Sequence, residues 1–390
     1  MKRIVLIALL LTFAIPSWSA ARSVTVDQLH QMLADMQRAN KTDQEVATEL
    51  HQVLLTQELT GAALQSITPL LPGPLATEQI YVLQTRSSML PPPDSSIPAD
   101  PAPDAAAQQA LLAKAQDYVT KTFSQLPHLA ASRLTARFQD GVAAVHTYSG
   151  MNHGSAQDSD PLWQETVAKV RLVNTASAPF ESIGGIEKPS PVKDKNNWGA
   201  NNIITPTAPP LALPTILKEA IAAGSPHFVR WQLIGKRKVA VFEFALDKEK
   251  TSYSVTYCCF PKSDTSGMLS NTIGISAGAS QGGSGTLQTI SEWLPFHSEP
   301  GFHGQLFIDS ELGVVFRTIT TGDFKNTDFV HAESFRTDYA AQKIDGKVLV
   351  VPARTFLVAD IVPNGDSYVA YYAVRHMMIT QTWSDYKLAQ

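Results

Sequence analysis

The chain has 390 residues, a formal net charge of −4 and 17% charged side chains. That length leaves ample room for a large core and exceeds one typical domain. The weakly acidic balance, without clustered Lys and Arg, argues against an electrostatic nucleic-acid binder, so nucleic acid is not an expected partner.

Lys2 and Arg3 precede an apolar run from Ile4 to Ile15, which Pro16 breaks before the small residues Ser17, Ser19, Ala20 and Ala21. This order has the chemistry of a secretory signal peptide over residues 1–21, with cleavage expected after Ser19 or Ala21. The run is too short to cross a hydrocarbon core of about 30 Å, and no later stretch is long enough. The mature chain is therefore expected in a periplasm or outside the cell, with no membrane span after cleavage.

Residues 22–90 read as helical. Thr25 is placed to cap a first helix with Leu29, Met32, Leu33 and Met36 on one face. Thr42 and Glu45 form a capping-box pair, and Val46, Leu50, Val53 and Leu54 continue the helical period. Thr60 starts a short helix, Pro72-Gly73-Pro74 closes that stretch, and Ala76 to Ser88 predicts one more. Six prolines between Pro91 and Pro103 mark a stiff, extended linker over 91–103. Asp104 then caps a connecting helix over 104–127, with Leu111, Leu112, Ala115, Tyr118, Val119 and Phe123.

From about Ser132 the pattern turns to period two, so that 128–390 reads as one antiparallel β domain. Val229, Trp231 and Leu233 alternate with polar residues, as do Ala240, Phe242, Phe244 and Leu246 after the turn at Gly235-Lys236-Arg237-Lys238. Asp345-Gly346 and Asn364-Gly365 are hairpin dipeptides, because a type I′ turn needs positive φ at both central residues. Short connections force antiparallel pairing. The expected class is α+β: a helical N-terminal region, then a curved antiparallel sheet or half-barrel. Long loops are expected at 186–214, rich in Pro and Asn, and at 263–303, which opens with a Gly/Ser tract.

The motifs with chemical potential are sparse. Gly278-Ala279-Ser280-Gln281-Gly282 has the G-x-S-x-G form of a nucleophile elbow, but Gly283, Ser284 and Gly285 stand where a helix should begin. Ser280 is therefore a weak nucleophile candidate, and a hydrolase using 263–303 is the alternative to a non-enzymatic role. His297, Glu299 and His303 are weak metal candidates, since Pro295 and Pro300 predict a loop there and no H-E-x-x-H occurs. No P-loop or G-x-G-x-x-G is present, and no cofactor is expected.

Cys258 and Cys259 are the only cysteines. In a regular strand neighbours point to opposite faces, and their Cα atoms stand about 3.8 Å apart, below the usual disulfide range of roughly 4.4–6.8 Å. An oxidising compartment favours a bridge nonetheless, so a vicinal disulfide and a pair of free thiols remain open alternatives. Trp231, Phe242, Phe244, Tyr253, Tyr257, Phe316, Tyr372 and Trp383 are candidates to line an apolar cavity for a lipid or a lipidated peptide, with a packed core as the competing reading.

Ser252 to Cys259, Gly301-Phe302-His303-Gly304-Gln305-Leu306-Phe307-Ile308-Asp309, Gly313 to Arg317, and Ile344-Asp345-Gly346-Lys347 with Val351-Pro352-Ala353-Arg354 resemble a group of uncharacterised exported bacterial proteins. Ser310 stands where that group usually has Pro, which implies a looser turn. The resemblance implies export but no activity. The expected sheet is also loosely similar to periplasmic lipoprotein carriers and sigma-regulatory half-barrels, a likeness of fold alone. The expectation is an exported envelope protein that binds an apolar ligand or a protein partner, with a purely structural or interaction module as a further alternative.

Overall fold

The computed structural model describes residues 22–140, 170–188, 205–206, 211–263, 290–325, 328–361 and 375–389, excluding the side chains of 205, 259–263, 290–294 and 375. The expected signal peptide, Asn364-Gly365, Ser280 and Tyr372 lie outside the described residues, as does the side chain of Cys259.

The helical region begins with β1 (Arg22–Val24), α1 (Val26–Arg38) and α2 (Asp43–His51). Both helices carry a full capping box, Thr25 with Gln28 and Thr42 with Glu45, which satisfies backbone N–H groups that a helix start leaves open. Val53 and Leu54 do not extend α2 as the periodicity predicts. They form β2 (Val53–Leu55), which pairs in parallel with β1. The override is tertiary: Val53 and Leu55 point into the same small core as Val24, Leu29 and Leu50. α3 (Gly61–Ile67) follows its Thr60 cap. α4 (Pro74–Arg86) starts at the proline that was expected to end the preceding stretch; Pro is tolerated there because its missing N–H would be unpaired anyway. Gly73 offers α4 no side-chain cap, and Asp43 replaces it, accepting from the backbone N–H groups of Leu75 (3.0 Å) and Ala76 (2.8 Å). The Pro-rich segment lies against the sheet: Pro101 O accepts from Trp231 Nε1 at 2.8 Å, and Asp100 pairs with Lys238. α5 (Ala105–Lys121) follows the Asp104 cap.

The sheet strands are β3 (Leu129–Asp140), β4 (Val170–Ile183), β5 (Ile186–Glu187), β7 (His227–Ile234), β8 (Arg237–Leu246), β11 (Phe302–Asp309), β12 (Val315–Gly322), β13 (Val330–Ile344), β14 (Lys347–Ile361) and β15 (Arg375–Leu388). They form one ten-stranded antiparallel sheet in the order β5-β4-β3-β15-β14-β13-β12-β11-β8-β7, open at both edges as a half-barrel is. Ile344 pairs with Lys347, and Asp345 and Gly346 have φ of 47° and 78°, the hairpin turn that this dipeptide predicts. The turn after β11 is pinned by Asp309, whose Oδ1 accepts from Glu311 N (3.0 Å) and Leu312 N (2.8 Å).

The two expected long loops hold ordered elements. The first contains β5 and β6 (Thr205–Pro206), and it ends in a helix, α6 (Leu213–Ala223). Pro214 in the first turn of α6 is compatible with helix, and Leu213, Ile216, Leu217 and Ala220 bury one face at the i, i+3, i+4, i+7 spacing. The second contains β10 (Ile290–Ser298), which pairs with β9 (Val255–Ser263) and forms a separate three-stranded sheet with β6. Pro295 fits β10 because the register shifts between Leu294 and Phe296, at a strand on the edge of that sheet.

Alternation separates the two faces. Ala240, Phe242, Phe244, Leu306 and Ile308 point to an inner face, where α5, α6 and β9 pack on them. Val239, Val241, Phe307 and Phe316 point outward. The helical region docks on the outer face. Val82 of α4 meets Phe138, Val170 and Met378 there, and the remaining contact is polar. Glu58 accepts from Arg317 Nη1 (2.9 Å) and Arg336 Nη1 (2.8 Å), and Asp338 accepts from both guanidinium groups at 2.6 Å. Burial alone would push the Asp338 carboxyl up, but Arg317 and Arg336 outweigh it and hold the group below the usual range.

Candidate functional site

The inner face of the half-barrel differs along its width. Across β8 to β14 it is sealed. Phe242 and Phe244 are buried under α6, Phe244 meets Phe302 edge-on with ring centroids 5.6 Å apart, and Tyr253 tilts onto Phe302 at 5.1 Å. Gly304 permits this closeness: a Cβ there would lie 2.1 Å from Ile319 O and 3.0 Å from Phe244 Cζ.

Within this sealed part sits one carboxylate. Glu333 accepts from Tyr253 OH at 2.7 Å and from Tyr257 OH in a shorter contact, and all three residues are buried. Burial pushes the Glu333 carboxyl up despite the two phenolic donors, and it pushes both phenols far above their ordinary value. The two phenols tie β9 and the segment just before it to β13. Glu333 escaped the sequence reading, although a signal existed: it falls in phase with Phe335, Thr337 and Tyr339 on the inward side of β13.

Cys258 follows Tyr257 on the opposite side of β9, where its backbone pairs with Thr205. Cys258 is bridged, and no described cysteine is free.

Toward β15, β3 and β4 the cover thins. Arg133, Thr135, Ala178, Gln381 and Trp383 are half-buried on the inner face. Phe180, Trp383 and Tyr386 form an aromatic wall, with centroids 5.6 Å (Phe180–Trp383) and 6.4 Å (Phe180–Tyr386) apart. Arg133 stands directly opposite Trp383 on β15 and opposite Ala178 on β4. Its Nη1 is 2.7 Å from Glu187 Oε1. At the far end of the same face, Arg137 Nη2 donates toward Met377 Sδ at 3.0 Å.

The expected aromatic lining therefore divides. Phe242, Phe244, Tyr253 and Tyr257 meet in the sealed core, and Trp231 packs at its edge against Phe228. Phe316 is on the outer face, under Arg237, because Val315 takes the inward position of β12. Among the described members of that set, Trp383 alone borders the thinner part. The expected metal candidates also separate. His297 Nδ1 bonds Thr256 Oγ1 at 3.0 Å and its Nε2 is 3.5 Å from Glu299, while His303 Nδ1 is committed to Asp323 at 2.8 Å. No cluster of three metal-ligating side chains occurs among the described residues. A surface cleft of about 480 Å³ lies beside them, lined by Asp247, Lys248, Glu249, Glu299, Asp323 and Lys325 among others.

No family model matches the chain, and neither a curated protein nor a solved structure matches it. No described helix is long and apolar enough to cross a membrane.

Proposed function

We propose that this is an exported cell-envelope protein that acts by binding, without catalysis, and that its ligand is an apolar molecule or an apolar group carried by a partner. One observation carries the reading: the inner face is closed by packing over most of its width but only half-buried beside Phe180, Trp383 and Tyr386. Concave apolar surfaces with a few placed polar groups are the usual form of a ligand site. Export rests on the N-terminal charge and hydropathy pattern. A Cys258–Cys259 bridge belongs to the same proposal, since Cys258 is bridged and the chain has one other cysteine. A purely structural module is the second reading, favoured by the close packing of Phe242, Phe244, Tyr253 and Tyr257.

Native mass spectrometry of the protein purified from its own envelope fraction tests the proposal. Binding predicts a co-purified lipid or partner that organic extraction or unfolding releases. A clean apo mass for a mature chain starting near residue 20 or 22 would support export while removing the binding role.

A further inference from the structure

The thinner part of the inner face carries an unusual pair of polar atoms. Arg133 Nε and Trp383 Nε1 are both buried, and neither has a hydrogen-bond partner among the described residues. The two residues are direct cross-strand neighbours on β3 and β15, so their Cβ atoms are about 5 Å apart on one face. Buried donors in folded proteins are nearly always satisfied, and each that is not requires an explanation. A single unpaired indole N–H could be a local accident of packing. Two unpaired N–H groups on directly paired residues, both donors, define a need for an acceptor.

The surroundings restrict what that acceptor can be. Glu187 already neutralises Arg133 through Nη1 at 2.7 Å, so the site has little net charge to offer. A phosphate or other dianion would be poorly compensated there, since burying charge without a counter-charge is costly. A neutral carbonyl oxygen has two lone pairs and accepts two N–H donors at no such cost. The aromatic wall beside the pair is apolar, with Phe180 edge-on to Trp383 and the Tyr386 hydroxyl donated to Pro352 O at 2.8 Å, while Thr135 and Gln381 add polar groups to the same face. Ala178, directly opposite Arg133 on β4, carries only a methyl side chain beside the guanidinium.

Resting on the binding role above, we infer that Arg133 and Trp383 form a site for the carbonyl of an acyl ester or amide, with the attached hydrocarbon lying along Phe180 and Tyr386. The recognised class is an acyl lipid or acylated peptide, read by its carbonyl as well as its chain. Arg133 Nε–H and Trp383 Nε1–H donate to the one oxygen, and Glu187 holds the guanidinium in place.

The test compares three probes of one chain length on the mature chain, each below its micellar concentration, by native mass spectrometry: 1-monolauroylglycerol, 1-O-dodecylglycerol and laurate. The ester carries the carbonyl, the ether lacks it, and laurate adds a charge. Two net hydrogen bonds predict roughly a tenfold preference for ester over ether. Trp383→Phe keeps the ring against Phe180 but removes one donor, and should reduce the preference to about threefold. Arg133→Lys keeps the pairing with Glu187 while removing the Nε–H and should act similarly. Equal affinity for ester and ether, or an unchanged ratio in both variants, overturns the carbonyl site and leaves the binding role standing. Laurate bound more tightly than the ester overturns the neutral-acceptor assignment. Uptake of none of the three overturns this site, and an apo mass from the native envelope in addition removes the binding role itself.

Discussion

Glu58 of the helical region and Arg336 of the sheet meet at 2.8 Å with side chains only 5% and 4% exposed. They are separated by most of the chain, and their contact fixes how the two parts sit together. Arg336 also donates to Ser88 O at 2.7 Å, so the same guanidinium holds the region at two points. The surrounding surface is polar on both sides, with Gln84 opposite Arg354 and Glu78 accepting from Leu172 N.

Removing one partner of a buried ion pair leaves the other uncompensated, at a cost of about 3–5 kcal/mol. Glu58→Ala strands two guanidinium groups with Asp338 as their remaining carboxylate, so about 3 kcal/mol is expected. Urea unfolding reads that loss. Limited proteolysis should also show faster cleavage in 91–103, which is held between the docked helices and β7. A variant with an unchanged midpoint and an unchanged cleavage rate rules out the latch.

Glu333, buried, and Asp338, partly buried, predict opposite responses to pH. Glu333 is raised from 4.5, so the native state retains a proton that the unfolded chain releases. Its contribution is fully present below pH 4.5 and fades as pH rises through the native value. Asp338 is lowered from 3.8, so its contribution is present above pH 3.8 and fades as pH falls through the native value. Urea midpoints against pH should lose the first slope in Glu333→Gln and the second in Asp338→Asn. The same slope surviving in the matching variant would show that the carboxylate named is not its source.

Gly304→Ala and Gly61→Ala form a paired test of packing. A Cβ at Gly304 meets Ile319 O at 2.1 Å, whereas one at Gly61 meets nothing within 4 Å. Overpacking at the first should cost about 1–3 kcal/mol. The second lies at the start of α3, where Ala should be neutral or stabilise by up to about 1 kcal/mol. Thermal melts of the two variants decide, and equal effects would contradict the contact between β11, β12 and Phe244.

Alkylation with mass analysis tests the cysteine pair. No adduct is expected on the unfolded protein before reduction, and two after it. Two adducts without reductant would mean that both thiols are free and that β9 carries no bridge.

Local signals were legible along much of the chain. The Thr25, Thr42, Thr60 and Asp104 caps and the Asp345-Gly346 turn act within a few residues, so the side chains that decide them are adjacent in sequence. The period-two alternation of Ala240, Phe242 and Phe244 likewise announced an antiparallel sheet with one apolar face. α6 was hidden because Pro and Asn before it masked a helical spacing that begins only at Leu213. β10 was hidden because Pro295 reads as a breaker unless its edge position and bulge are known.

The amino-acid order alone thus determined the helical start, the sheet class and the position of the cysteine pair on a strand, since each depends on near neighbours. Tertiary structure decided everything that depends on distant partners. It divided the aromatic residues between two faces, sending Phe316 outward, and joined Tyr253, just before β9, and Tyr257, on β9, to Glu333 on β13. It brought Arg133 opposite Trp383, about 250 positions apart in sequence, because the last long strand pairs with the first and a ladder register cannot be read from either strand by itself.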